Sequence, residues 1–430
     1  MCKNVRYLFL LFLMPTLLES QTVEFKNSKI FSLKLAKETE EVCNGLDLLI
    51  ENRFKPIRAK KIALFFDTYS YTGNGRHIID VMDETDTFEI TSLFEVFGIR
   101  ESANNQKVSF AIGKNIKDVK HFQLSPAAYN LGYKYLKGSN LILFDLQSSG
   151  IRESITVKIL IDLLKISARY RIPLVVLDRP NPLNSEVVEG PISDFSVNAH
   201  GCPVPLRYGL TLAELALMIN EENWLNFSKP ARLYIIPMIN YKRDMWYEDT
   251  DLYMGYGYFY GLVSENALLY STLFFAYYTN LSYGIGTDEE FKIVGAPWLS
   301  GSDILTRLDA HDFSGARFEK INFIPTSALG KEPKPVYNGE ECSGINVSVS
   351  DREIYRPAIV GAYLMGLIYQ MYPHHLRWKD ENLIDAIFGG EGYRRSVELQ
   401  GDLVKYIGIW ESDLSEYQKS CTKYWLYDWE

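Results

Sequence analysis

The chain has 430 residues, of which 47% are hydrophobic and 14% aromatic, ample for a large buried core. Its charged residues, 23% of the total, are scattered along the chain, which excludes an intrinsically disordered protein. The net charge is −9 and no basic stripe occurs, which argues against a nucleic-acid partner.

At the N-terminus, Lys3 and Arg6 precede an apolar run over residues 7–18, which Pro15 interrupts, and Glu19-Ser20-Gln21 follow. A basic start, a short apolar segment and a small residue near its end read as a signal peptide over residues 1–20, which predicts export to a periplasmic or extracellular location. The run is too short for a comfortable membrane span, and no later stretch reaches the roughly 18 apolar residues a span requires. Cys43, Cys202, Cys342 and Cys421 follow, far apart in the chain and without a Cys-x-x-Cys. That spacing argues against a zinc cluster or a dense disulfide framework, and leaves one or two disulfides and separate thiols as alternatives.

The first half alternates strand and helix patterns. Residues 61–66, 140–144 and 172–177 are nearly continuous apolar runs, as expected of parallel strands buried on both faces, and residues 87–94 alternate. Residues 155–170 carry apolar side chains at helical spacing. Thr211 and Glu214 form a capping box for a helix over 211–223. The succession predicts an α/β fold: a Rossmann-like parallel-sheet lobe over residues 40–230, then a smaller α/β lobe over 231–430, with a cleft between them. The second half is less regular, with a strand over 231–238, a Tyr/Gly-rich run over 253–260, a strand over 345–349, a helix over 357–371 and a charged helical stretch over 402–424.

Four expected strands end in a carboxylate: Asp67, Glu95, Asp145 and Asp178. Ligands of open α/β sheets bind outside the carboxyl ends of the strands, so this acidic rim is the physical pointer to a site. Each acid alone is also an ordinary turn cap. No Gly-x-Gly-x-x-Gly follows the first strand, so the Rossmann-like pattern implies no dinucleotide, and no cofactor is expected. His374-His375 is adjacent rather than spaced along one helix face, a poor metal pattern, and His77, His121, His200 and His311 are isolated in sequence.

Longer motifs carry a resemblance. Leu177-Asp-Arg-Pro-Asn-Pro182 with Val188-Glu-Gly-Pro191, the run from Pro203 to Ala216, Tyr241-Lys-Arg-Asp-Met-Trp246, Thr279-Asn-Leu-Ser282, Gly295-Ala-Pro-Trp298 and the pair Asp351 and Arg356-Pro357 occur in this order. The chain resembles the NamZ-type exo-β-N-acetylmuramidases over nearly all of its expected mature length. The resemblance implies release of N-acetylmuramic acid from the non-reducing ends of peptidoglycan fragments, at a site between a Rossmann-like lobe and a smaller one. Matched to it, Glu95, Asp67 and Asp145 are the candidate catalytic acids. Gln147, Arg152, Asp178, Arg179, Asn181, Glu189, Arg207, Arg243, Trp246 and Asn280 are the candidate substrate-binding residues. By residue chemistry, Arg179, Arg207 and Arg243 are suited to holding a lactyl carboxylate bidentately, or equally to tying loops to the sheet by ion pairs. Trp246 suits either a sugar-stacking wall or a core anchor.

The chain departs from the family pattern at its pocket motifs. The usual Pro-Glu-His-Gly-Ile-Arg reads Leu93-Phe-Glu-Val-Phe-Gly-Ile-Arg100, so the histidine is missing and Glu95 stands one position early relative to Gly98. Asp67 stands where an asparagine is usual, Ser148 where an acid is usual, and Tyr208 where a histidine is usual. The run Tyr277-Tyr-Thr-Asn-Leu-Ser-Tyr-Gly-Ile-Gly-Thr287 lacks the family's Glu and Arg. Three readings follow. One is a diverged glycoside hydrolase acting on peptidoglycan-derived amino sugars. Another is a non-catalytic sugar-binding relative. The third is an envelope interaction protein using Tyr253, Tyr256, Tyr258 and Tyr260. Imidazole and carboxylate are the groups that move protons near neutral pH, so whether Glu95 or Asp67 replaces the lost pair decides between the first and the others.

Overall fold

The structure is a computed structural model that describes residues 25–96, 116, 118–125, 129–193, 202–255, 264–311, 313–327 and 334–428. The expected signal peptide, Gly98-Ile99-Arg100, His200 and Tyr256, Tyr258 and Tyr260 lie outside the described residues.

The first lobe is built, in chain order, from β1 (Ser28–Ile30), α1 (Gly45–Glu51), β2 (Lys61–Asp67), α2 (Ile78–Asp83), β3 (Glu89–Val96), β4 (Lys120–Leu124), β5 (Leu141–Asp145), α3 (Ile155–Tyr170), β6 (Leu174–Leu177), α4 (Leu212–Glu221) and β7 (Leu233–Ile236). The strands form one sheet in the order β1-β7-β6-β5-β2-β3-β4, with every neighbouring pair parallel. From β2 the chain steps outward through β3 and β4, then returns to the other side of β2 and steps outward through β5, β6 and β7. This is the doubly wound arrangement, and its topological switch point lies between β2 and β5.

Both faces of this sheet are buried. On one face Leu64, Phe66, Leu93, Leu143 and Val175 pack with residues of α1 and α2. On the other Ala63, Phe65, Phe94, Phe144 and Val176 pack with residues of α3 and α4. Helix α4 starts as expected: the Thr211 hydroxyl accepts from the Glu214 amide, and the Glu214 carboxylate accepts from the Thr211 amide. Gly45 brings α1 against the strand ends, where a Cβ would lie 2.6 Å from the Asp178 amide nitrogen.

The second lobe contains α5 (Ser264–Leu273), β8 (Ile293–Ala296), α6 (Gly301–Leu308), β9 (Ala316–Phe323), β10 (Cys342–Val349), α7 (Pro357–Met371), α8 (Glu381–Ile387), α9 (Gly392–Glu398), α10 (Leu403–Gly408) and α11 (Trp410–Cys421). Its strands form an antiparallel sheet in the order β8-β10-β9. Helix α7, apolar around most of its surface, runs through the core of this lobe.

The lobes do not divide at one chain position. Strand β7 follows residue 230 yet belongs to the first sheet, and Tyr417, Cys421 and Tyr424 return to the core of the first lobe. Cys43, Cys202, Cys342 and Cys421 are free thiols.

Candidate functional site

The carboxyl ends of β2 and β5, which flank the switch point, carry Asp67 and Asp145. Asp145 is fully buried, and both of its oxygens accept from Arg179, from Nε at 2.6 Å and Nη2 at 2.8 Å. Burial raises the Asp145 pKa above its ordinary value, against the pull of Arg179. Burial alone would lower that of Arg179, but Asp145 overrides it and holds the guanidinium above its usual range. The two shifts favour different states of the acid, and the short parallel contacts decide for the ionised pair. Arg179 Nη1 also donates to the Tyr71 carbonyl at 3.0 Å, which ties the pair to the loop after β2.

Asp67 organises that loop. Its Oδ1 accepts from the Tyr69 amide at 2.8 Å and its Oδ2 from the Gln147 amide at 2.8 Å, so it joins the turns after β2 and β5. Two groups absent from the candidate set share this corner. Asp47, in the first turn of α1, accepts from the Asn44 and Gly73 amides, and burial raises its pKa. Tyr247 is buried within electrostatic reach of Arg179, Asp67, Asp145 and Asp47, and burial pushes its hydroxyl up to about 12.

The pleat separates the three candidate acids. Phe66 pairs in register with Glu95 on one side and with Asp145 on the other. Paired residues in a sheet share a face and successive residues alternate, so Glu95 and Asp145 share the face of Phe66 while Asp67 belongs to the opposite one. Two strand spacings, about 10 Å, separate the backbones that carry Glu95 and Asp145.

Glu95 is buried and does not stand alone. His121, on β4, places Nε2 2.9 Å from Glu95 Oε2, and Gln123 Nε2 approaches the same oxygen at 3.5 Å. The register makes this contact: Leu93 pairs with His121 and Glu95 with Gln123, so the imidazole reaches one pleat period along the same face. The ring also stacks on Phe66, with centroids 6.2 Å apart. Among the described residues, both donors to Glu95 converge on Oε2.

The other candidate residues hold the framework around this corner. Asp178 accepts from the Thr211 hydroxyl, the Ala213 amide and the Tyr427 hydroxyl, and burial raises its pKa to about 7. Asn181 donates to the Leu210 carbonyl and accepts from the Leu183 amide. The close approach of Gly150 (φ +81°) to Asn181 needs glycine: a Cβ there would lie 2.7 Å from Asn181 Oδ1. Gln147 donates to the Ser148 and Pro180 carbonyls.

Arg152 donates to the carbonyls of Pro191, Val204 and Ile387. Arg243 pairs with Glu214 at 2.6 Å and donates to the Ser185 and Gly209 carbonyls. Arg207 donates to the Leu183 carbonyl and to Asn184, and burial lowers its pKa to about 10. Glu189 accepts from the Ala358 and Ile359 amides, capping α7 from the first lobe. Trp246 is a buried ring between Arg207 and Arg352, and its indole N–H donates to Glu353. Asn280 lies in the second lobe, bonded to the Arg377 amide and the His375 carbonyl.

Of the candidates, Asp67, Asp145, Gln147 and Arg179 converge at the switch point, and Glu95 lies one strand further out. Ser148 and Tyr208, at two of the pocket departures, bond each other through their hydroxyls at 2.8 Å. No group of His, Cys, Asp and Glu among the described residues is arranged to hold a metal ion.

Known proteins are similar to this chain in sequence and in fold. The family sequence model described as exo-beta-N-acetylmuramidase NamZ, N-terminal, matches residues 62–255, and the corresponding C-terminal one matches residues 268–427. The peptidoglycan beta-N-acetylmuramidase NamZ of Bacillus subtilis (strain 168) is 25% identical over 393 residues, covering 90% of this chain and 92% of that protein. Two crystal structures of DUF1343 family proteins from Bacteroides fragilis NCTC 9343 share the fold. One has a TM-score of 0.78 at 20% identity and the other 0.67 at 22%, each match covering 91% of this chain and 100% of that one.

Proposed function

We propose that this chain, which belongs to the exo-beta-N-acetylmuramidase NamZ family over both of its domains, is a glycosidase that releases N-acetylmuramic acid from the ends of peptidoglycan fragments. Glycoside hydrolysis needs a group that protonates the leaving oxygen. Glu95 is that acid in this reading. The observation that carries it is the asymmetry of its carboxyl: both donors among the described residues go to Oε2, and none goes to Oε1. Asp67 and Asp145 have both oxygens engaged by the chain itself.

Asp145 then acts through Arg179, as a fixed ion pair on the floor of the switch point. The two hold charge in place near a forming sugar cation without moving during the reaction. Asp67 keeps the β2 and β5 loops at constant distance. The N-terminal basic-then-apolar pattern supports export to the compartment where peptidoglycan is found.

The test is turnover of a chromogenic N-acetylmuramide and of muropeptide fragments by the purified protein. Wild type should release the sugar, and Glu95→Gln should lower kcat by on the order of 10³-fold or more with the fold intact. Calorimetric binding of muropeptide without turnover would assign the chain as a sugar-binding relative instead. Turnover that survives Glu95→Gln would move the acid elsewhere.

A further inference from the structure

The structure assigns His121 as the positioning residue of Glu95, a role that rests on the reading of Glu95 as the acid. Three observations carry it. First, the imidazole Nε2 lies 2.9 Å from Glu95 Oε2, within hydrogen-bond range. Second, the contact crosses from β4 to β3 by register, Leu93 opposite His121, and so is fixed by the sheet rather than by a side chain reaching from a loop. Third, the imidazole lies against the Phe66 ring, whose backbone pairs with Glu95 itself, so the plane of the donor is set by the same strands that set the acceptor.

With the acid's proton on Oε1, Oε2 can only accept at this contact, so Nε2 carries a proton and His121 donates. The donation fixes the rotation of the Glu95 carboxyl, with Oε2 toward β4 and Oε1 turned away from the donors. A carboxyl that is buried and free to rotate would present its proton in several directions, and catalysis depends on one of them. The exposure differs across the pair: the Glu95 side chain is 5% exposed and that of His121 34%. The histidine is thus the more exposed member of the pair, on the Oε2 side of the buried acid. The local motif around Glu95 contains no histidine, so this donor reaches the acid from a strand 26 positions further along the chain.

The experiment combines kinetics with a readout that needs no turnover. His121→Ala should lower kcat by on the order of 10–100-fold while KM moves less than about 3-fold. His121→Gln, whose amide nitrogen can occupy the place of Nε2, should recover most of the loss. Nitrogen-15 spectra of the ring in wild type at neutral pH should show an exchange-protected proton on His121 Nε2, which disappears in Glu95→Ala.

Several results would overturn the assignment. These are an unprotonated Nε2 in wild type, kcat unchanged in His121→Ala, a loss confined to KM, or His121→Gln as impaired as His121→Ala. Absence of turnover by wild type on every muramide substrate would overturn the glycosidase reading and this assignment with it. Turnover by wild type with an unaltered His121→Ala would overturn this assignment alone.

Discussion

At His77 the fold selects one protonation state. Nδ1 accepts from the Ile79 amide at 3.2 Å, and Nε2 faces the Asp67 carbonyl at 2.9 Å, an arrangement that the neutral Nε2–H tautomer satisfies. Burial lowers its pKa from 6.5 to about 4. A depressed folded-state value means that the unfolded chain binds the proton first. The contribution to stability is therefore fully present above pH 6.5 and is lost as pH falls toward about 4. The loss amounts to about 3 kcal/mol at most. Urea unfolding of His77→Gln should show a shallower decline of stability between neutral pH and pH 4.5 than wild type. An unchanged slope would place the acid sensitivity at another group.

At the scale of elements, the tail after α11 matters more than its length implies. The Tyr427 hydroxyl donates to Asp178 at 2.5 Å and accepts from the Met238 amide at 3.0 Å. The Leu426 amide donates to Glu214 at 2.8 Å, and Arg243 lies over the Trp425 ring at 4.2 Å. Tyr427→Phe keeps the ring and removes both bonds, which leaves a buried carboxyl and a buried amide short of a partner. We expect a loss of about 1–3 kcal/mol in urea unfolding. A change within error would mean that the two groups find other partners.

The capping box of α4 and the runs that became β2, β5 and β6 were legible because their signals are local. The face on which each strand-end acid lies was not legible. A strand buried on both sides, such as Phe65-Phe66, shows no alternation, and the pleat phase disappears from the sequence. His121 was hidden for a related reason, since its contact with Glu95 exists only through the β3–β4 register. Asp47 and Tyr247 belong to segments that look like ordinary helix starts and turns, and only the tertiary fold brings them to the switch point.

At the scale of the molecule, buried arginines hold separate segments together. Arg152 joins the turn after β5 to Pro191, to Val204 and to Ile387 at the end of α8, so one guanidinium spans both lobes. Lysine keeps the charge but not the planar fork that serves three carbonyls. Arg152→Lys should cost about 2–4 kcal/mol. Calorimetric unfolding checks this, and a Tm equal to that of wild type would count against it. In the sequence Arg243 had two readings, sugar binding and loop tying, and Arg152 had one, sugar binding. Both carry polar groups that suit either, and only burial with backbone partners distinguishes them. The parallel-sheet lobe was legible from the succession of strands and helices and the family membership from whole motifs, whereas the lobe boundary was not, because the tail crosses back.

That return also sets a clock. Asp178 and Glu214 sit in the lobe that a ribosome makes first, yet their donors from Tyr427 and Leu426 follow 249 and 212 positions later. The early lobe therefore cannot reach its final state before the residues of the second lobe have been made. It waits with two acids incompletely partnered until Leu426 and Tyr427 have left the ribosome, so the lobe made first is completed only after the second has been made.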